Sequence, residues 1–238
     1  MKYLLIAPTS SLPYFLELVD GLFLVPEQLK DERTVEFISA LNVFKMLDNG
    51  AYESKTISNE ELIELTSKIG VDVVIAPDVL NRRTETIKRI TEFLDYDVPA
   101  EIMVVPQGAN PAEFILCLRQ LLPLEGYSYI GFPIWLNKRF HCRPEVVKYC
   151  LKHFDLSDKK LHLLGLDNPY EVVLYEKVTS VDSSLPLTLA KNLHQELYPM
   201  DYNVLRLSRI RFEEELTPLQ YHLARRLIES LVSLCHGE

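Results

Sequence analysis

Short apolar, β-branched runs recur along the chain, each stopped by Pro, Gly, Asp or Asn, and the stretches between them carry helical spacing. The runs are KYLLIAP from Lys2, GLFLVP from Gly21, VFKMLDNG from Val43, VDVVIAPD from Val71, EIMVVPQG from Glu101, YSYIGFP from Tyr127, LHLLGLDNP from Leu161 and VTSVDSS from Val178. They are continuous rather than alternating, as expected of strands covered on both faces by crossover helices. Between them, SNEELIELTSKIG from Ser58 places Glu61 three residues after a capping Ser, ahead of apolar i, i+3, i+4 positions. RRTETIKRITEFL from Arg82, NPAEFILCLRQLL from Asn110, RPEVVKYCLKHF from Arg143 and NPYEVVLYEKV from Asn168 also read as helices, three of them with Pro in the first turn. This β-then-α order predicts an α/β fold with a parallel sheet, and no GxGxxG follows any strand. A single (β/α)8 TIM-like barrel over about residues 1–190 fits best, irregular where the first two connections are cramped. Leu223, Leu227, Leu231 and Leu234 give the remaining tail, about 191–238, the spacing of a helical cover. No linker or internal repeat marks a second domain.

The length of 238 residues is close to that of such a barrel. Against 34 Asp and Glu stand 25 Lys and Arg, a net charge of -9, which excludes sequence-blind coating of nucleic acid by global charge. A polyanion would have to be held by a local basic patch. Cys117, Cys142, Cys150 and Cys235 show no CxxC spacing, so neither a zinc knuckle nor a disulfide framework is indicated, and a reducing, cytoplasmic setting is expected. The apolar run at the start is too short for a signal segment or a membrane span. The six histidines lack ligand spacing, so no metal site is expected.

In a barrel of this kind the polar groups that end the strands converge on one face. They are Asp48, Asn49 and Tyr52, then Asp78, Gln107, Asp167 with Asn168, and Asp182 with Ser183. Carboxylates gathered at one rim repel, which pushes their pKa values apart and allows an acid beside a base or nucleophile. The plain alternative is helix capping, strongest for Asp167 and Asn168 ahead of Pro169. Asp182 instead follows its strand directly, and Asp48 lies in a Gly-containing turn where backbone can approach a ligand. Asp78 and Gln107 stop their strands in the same way (IAPD, VVPQ), suiting hydrogen bonds to a flat polar ligand. Asn81, Arg82 and Arg83 after the fourth run, and Lys138, Arg139 and Arg143 after the sixth, offer contacts to a nucleic-acid backbone, with Trp135 and Phe140 interleaved for a single strand. RLSRIR from Arg206 is a third such stretch. Solvated helix starts are the alternative for all three.

The order LDNGAY, APD, VPQG, YIGFP, LLGLDNP, SVDSS, from Phe44 to Pro186, resembles the tRNA-guanine transglycosylase family, including its relatives that place 7-deazaguanine bases in phage or bacterial DNA. The resemblance implies a nucleophilic Asp182 and a general acid/base Asp48. It makes Asn49, Gly50 and Tyr52 the acid/base turn and its aromatic lid, and Asp78, Gln107 and Gly108 the readers of the purine edge. Gly131 offers backbone to the base, and Leu164 and Gly165 lie below it. Ala51, Glu53 and the segment GFPIW depart from the family pattern, which leaves base preference open. Its Cys-rich zinc site has no counterpart, since Cys235 stands alone near the C-terminus. The implied function is a base-exchange glycosyltransferase that replaces guanine in nucleic acid, DNA rather than tRNA, with a free modified purine base and without a cofactor. A barrel N-glycosidase or nucleoside hydrolase, and a non-catalytic nucleic-acid-binding barrel, are the competing readings.

Overall fold

The computed structural model describes residues 1–51, 57–192 and 215–237. Eight parallel strands close into a barrel in sequence order: β1 (Lys2–Leu5), β2 (Gly21–Leu24), β3 (Phe44–Leu47), β4 (Val73–Ile75), β5 (Glu101–Val104), β6 (Tyr129–Pro133), β7 (Lys160–Leu164) and β8 (Val178–Ser183), with β8 pairing back onto β1. Each strand lies within one of the apolar runs, except that β7 begins one residue ahead of its run, at Lys160. This is an α/β barrel of the TIM type. Its helices are α1 (Glu32–Ser39), α2 (Asn59–Ile69), α3 (Arg83–Leu94), α4 (Pro111–Leu121), α5 (Trp135–Phe140), α6 (Arg143–His153), α7 (Leu185–Asn192) and α8 (Pro218–His236).

Strand alternation sorts the side chains into two layers. Leu4, Phe23, Met46, Val73, Ile75, Met103 and Tyr129 fill the lumen. Leu5, Leu22, Leu47, Val74, Val104, Ile130 and Val181 point outward, into one core with Ile38, Leu62, Ile90, Phe114 and Val147 of the helices. The helix starts follow the capping chemistry of the sequence. Ser58 accepts from the Glu61 N–H at 3.1 Å, Asn110 from the Glu113 N–H at 3.0 Å and Asn168 from the Tyr170 N–H at 3.0 Å. Lys45, a cation inside the outer core, directs its Nζ to the carbonyls of Ser39 at 3.4 Å and Ile69 at 3.3 Å, which end α1 and α2 where the helix dipoles are negative.

The irregularity falls where the connections are short. β1 and β2 are joined only by 3-10 turns, Thr9–Tyr14 and Leu16–Leu18. The stretch expected to be a helix after β7 is a single 3-10 segment, Pro169–Leu174, whose Glu171 is turned inward. The helices α1 and α5 lie in stretches with no expected helix. α8 packs on α7 and reaches β1, where the Met1 ammonium donates to the Cys235 carbonyl at 3.0 Å. The expected tail before it, residues 193–214, lies outside the described residues. Among the described residues no helix is long and apolar enough to cross a membrane.

Candidate active site at the mouth of the barrel

Two hydrogen-bonded networks occupy the C-terminal ends of the strands. The first is built on β7 and β8. Asp182 is the residue of β8 that pairs with Leu4 of the lumen, and its side chain is buried. His162 is paired with Ser180 in the neighbouring register and is fully buried. Its Nε2 lies 3.0 Å from Asp182 Oδ1, and its Nδ1 lies 2.8 Å from Ser180 Oγ. The Phe23 ring stacks parallel to the imidazole at 5.9 Å. The Gly165 N–H donates to the same Asp182 oxygen at 2.9 Å. Gly165 has φ +73°, a left-handed conformation that lets the chain turn at the end of β7 and aim this N–H at β8.

The peptide that carries this N–H is held at its other end. Its carbonyl, that of Leu164, accepts from Arg143 Nη1 at 3.1 Å, and the same Nη1 reaches the carbonyls of Gly165 at 2.8 Å and Phe132 at 3.3 Å. Nε and Nη2 of Arg143 form a bidentate pair with Glu171 at 2.8 and 2.7 Å. Arg143 therefore is not a contact for a nucleic-acid backbone. Its side chain is wholly buried, with donors committed to Glu171 and to the ends of β6 and β7. The expectation fails because a cation beside Pro at a helix start looks solvated until the inward turn of a distant Glu171 is known.

The second network links the ends of β3, β4 and β5 to α5. Asn49 Nδ2 donates to Asp78 Oδ1 at 2.7 Å and to the Ala76 carbonyl at 2.8 Å, while its Oδ1 accepts from the Ala51 N–H at 2.8 Å. Gln107 Nε2 donates to Asp78 Oδ2, and Gln107 Oε1 accepts from Trp135 Nε1 at 3.1 Å. Trp135 fixes which way the Gln107 amide points, so both flanking amides present donors to Asp78. Desolvation by burial raises the Asp78 carboxyl to about 6, and the bonds from Asn49 and Gln107 oppose that rise. Trp135 is buried in this role and pressed edge-on against Phe114 at 6.2 Å, so it offers no open face to a nucleotide. Phe140 is the exposed aromatic of that segment.

The remaining expected residues fall around these networks. Asp48 is half-buried, directly after β3, on the alternation of Phe44 and Met46 that faces the lumen, and its N–H donates to the Leu24 carbonyl at 2.8 Å. Gly50 follows with φ +76°. Tyr52 lies outside the described residues, as does the stretch from Arg206. A Cβ on Gly131 would lie 2.7 Å from Leu164 and 2.9 Å from Val105, so this glycine lets the lumen fill from neighbouring strands. A Cβ on Gly108 would meet Glu113 at 2.5 Å, because the start of α4 packs directly on it. Asn168 caps the 3-10 segment after β7.

Arg82, Lys138 and Arg139 are exposed and Arg83 is half-buried, on connections that leave the C-terminal ends of β4 and β6. Arg139 donates to Asn81 Oδ1, joining the two basic stretches into one patch. His162, one of the six histidines without ligand spacing, is a residue of this site that no sequence pattern singled out. In β7 it shares the alternation of Leu164, and in β8 Ser180 shares that of Asp182, but the register that pairs the two strands is what brings them together. No family model matches this chain, and no curated protein matches it.

Proposed function

We propose that the protein is a base-exchange glycosyltransferase that replaces guanine in nucleic acid, with DNA favoured over tRNA, by a 7-deazaguanine-type base through a covalent Asp182–sugar intermediate. The observation that carries this reading is the held carboxylate. Both hydrogen bonds to Asp182, from His162 and from Gly165, end on Oδ1, and among the described residues none ends on Oδ2. One oxygen is thus anchored and the other is left to react.

In the reaction, Asp182 Oδ2 forms a bond to C1′ of the sugar while the bond from C1′ to the base nitrogen breaks, and Asp48 as a carboxylic acid gives its proton to the leaving base. The entering base loses a ring N–H proton to the Asp48 carboxylate, its nitrogen bonds C1′, and the ester bond to Oδ2 breaks. Atoms and charge balance without a cofactor, and the base enters on the face that the first one left. In this reading Asp78 and Gln107, held by Asn49 and Trp135, bind the base edge, and the Arg82, Lys138 and Arg139 patch binds phosphates. A target base in duplex would have to be flipped out, at a few kcal/mol. In this reading α8 covers the barrel flank, and the chain works in the cytoplasm.

The test incubates the protein with labelled guanine and, separately, guanine-containing DNA and tRNA. Label retained in DNA is expected. Faster incorporation into tRNA overturns the choice of substrate. Abasic sugar without incorporation indicates a glycosidase, and tight binding without either product indicates a non-catalytic barrel.

A further inference from the structure

We infer that Ser180 and His162 form a positioning relay behind Asp182: Ser180 fixes the imidazole tautomer, and His162 in turn anchors Oδ1 so that Oδ2 faces the sugar and the carboxylate is stabilised when it leaves. This rests on the function proposed above and adds to it a role for two residues to which the resemblance assigns none.

The argument begins with direction. Ser180 precedes Asp182 on β8 by two residues, so it lies one step deeper in the same lumen-facing row, and both it and His162 are closed off from solvent. Asp182 is as buried as Ser180, so the direction comes from order along β8: the serine lies a step deeper, with the carboxylate between it and the mouth. The group nearest the mouth is the carboxylate, so the relay runs toward Asp182. Carboxylate oxygens only accept, so the 3.0 Å contact to Asp182 requires a proton on Nε2. A neutral imidazole then has a bare Nδ1, which needs a donor, and the Ser180 hydroxyl 2.8 Å away supplies it. The parallel Phe23 ring holds the imidazole plane.

The consequence for the reaction is asymmetric. When Asp182 becomes an ester, Oδ1 loses most of its negative charge and the His162 bond weakens. When the ester breaks, the charge returns and the bond strengthens. A donor at Oδ1 therefore helps resolution of the intermediate more than its formation. Removing it should cause the covalent species to accumulate, which a purely structural loss would not do.

The experiment uses full-length protein, a single-stranded guanine-containing DNA oligonucleotide and labelled guanine, comparing wild type with His162→Phe, Ser180→Ala and the double variant. Phe keeps the ring stacked on Phe23 without its nitrogens. In His162→Phe, resolution should slow about 10- to 100-fold, the range for losing one hydrogen bond to a charged group, and the denaturant-resistant adduct should rise. Ser180→Ala should move in the same direction by less. In the His162→Phe background, Ser180→Ala should change resolution no further, because it acts through the imidazole. Equal slowing of formation and resolution, or additive effects of the two substitutions, would overturn the relay. Nitrogen NMR of labelled histidine tests the tautomer without any reaction: Nε2–H is expected in wild type, with the alternative tautomer growing in Ser180→Ala. An Nδ1–H in wild type refutes the relay even if exchange occurs. A wild type that shows the expected tautomer but forms no adduct with DNA or tRNA overturns the proposed function and, with it, the relay's part in resolution.

Discussion

Replacing Asp78 by Asn should remove a component of stability that fades as pH rises from about 4 to about 7. The carboxyl is buried, and its value rises from the ordinary 3.8 to about 6. Because the folded value lies above the unfolded one, the native chain holds the proton through this interval while the unfolded chain has lost it. The contribution is therefore fully present below the unfolded value and is lost as pH climbs through about 6. The difference amounts to about 3 kcal/mol between acid and neutral pH. Asn cannot ionise, so that component vanishes. It also presents one acceptor to two donors that cannot both turn round. Asn49 is pinned by Ala51 and Ala76, and Gln107 is pinned by Trp135. That mismatch adds a pH-independent loss of about 1–3 kcal/mol. Urea unfolding of both proteins at several pH values separates the two effects, since every other titrating group is common to them. The gap in stability between wild type and variant should be largest at acid pH and shrink by about 3 kcal/mol toward neutrality. Parallel stability curves across that range would refute the reasoning.

Asp182→Asn should abolish both base exchange and the denaturant-resistant adduct, while Asp48→Asn should slow exchange by about 10²–10⁴; an adduct that maps by mass spectrometry to Asp48 exchanges the two roles. Arg82→Ala and Lys138→Ala should each weaken DNA binding and flatten its salt dependence, read by titration at several salt concentrations, because each phosphate contact releases counterions. Unchanged salt slopes in both would make the patch plain surface. Arg143→Met should cost about 3–5 kcal/mol in unfolding experiments by leaving Glu171 buried and unpaired. Adding Glu171→Leu should recover much of that stability, yet exchange should stay impaired, since the Leu164 carbonyl has lost its partner. Full recovery of exchange in the double variant would show that the clamp serves folding alone.

The barrel was legible because its strands are continuous apolar runs with clear stops, and α2, α4 and α6 because Ser58, Asn110 and Pro144 announce their starts. α1 and α5 were not, since the basic, exposed residues of α5 read as loop chemistry. In the site, the residues that end strands were found from position alone, which is local information. Arg143 and Trp135 were misread because their surroundings come from elsewhere in the chain: Glu171 for one, Gln107 for the other. His162 was hidden for a related reason. In a run that is apolar on both faces, alternation is not visible, and the lone polar residue marks the lumen only once the register with Ser180 is known.

The two networks at the mouth have no residue in common. The Asp182 carboxylate is set by β7, β8 and the Arg143 clamp, whereas Asp78 is set by the ends of β3, β4 and β5 with Trp135. Under the proposed function, one half of the barrel would hold the bond-making group and the other the groups that face the base edge. Substitutions drawn from opposite halves should combine additively, because neither set is a neighbour of the other in its hydrogen bonds. Under that reading, such a division would leave ligand choice open to change, by drift or by engineering, while the Asp182 carboxylate stays where β8 puts it.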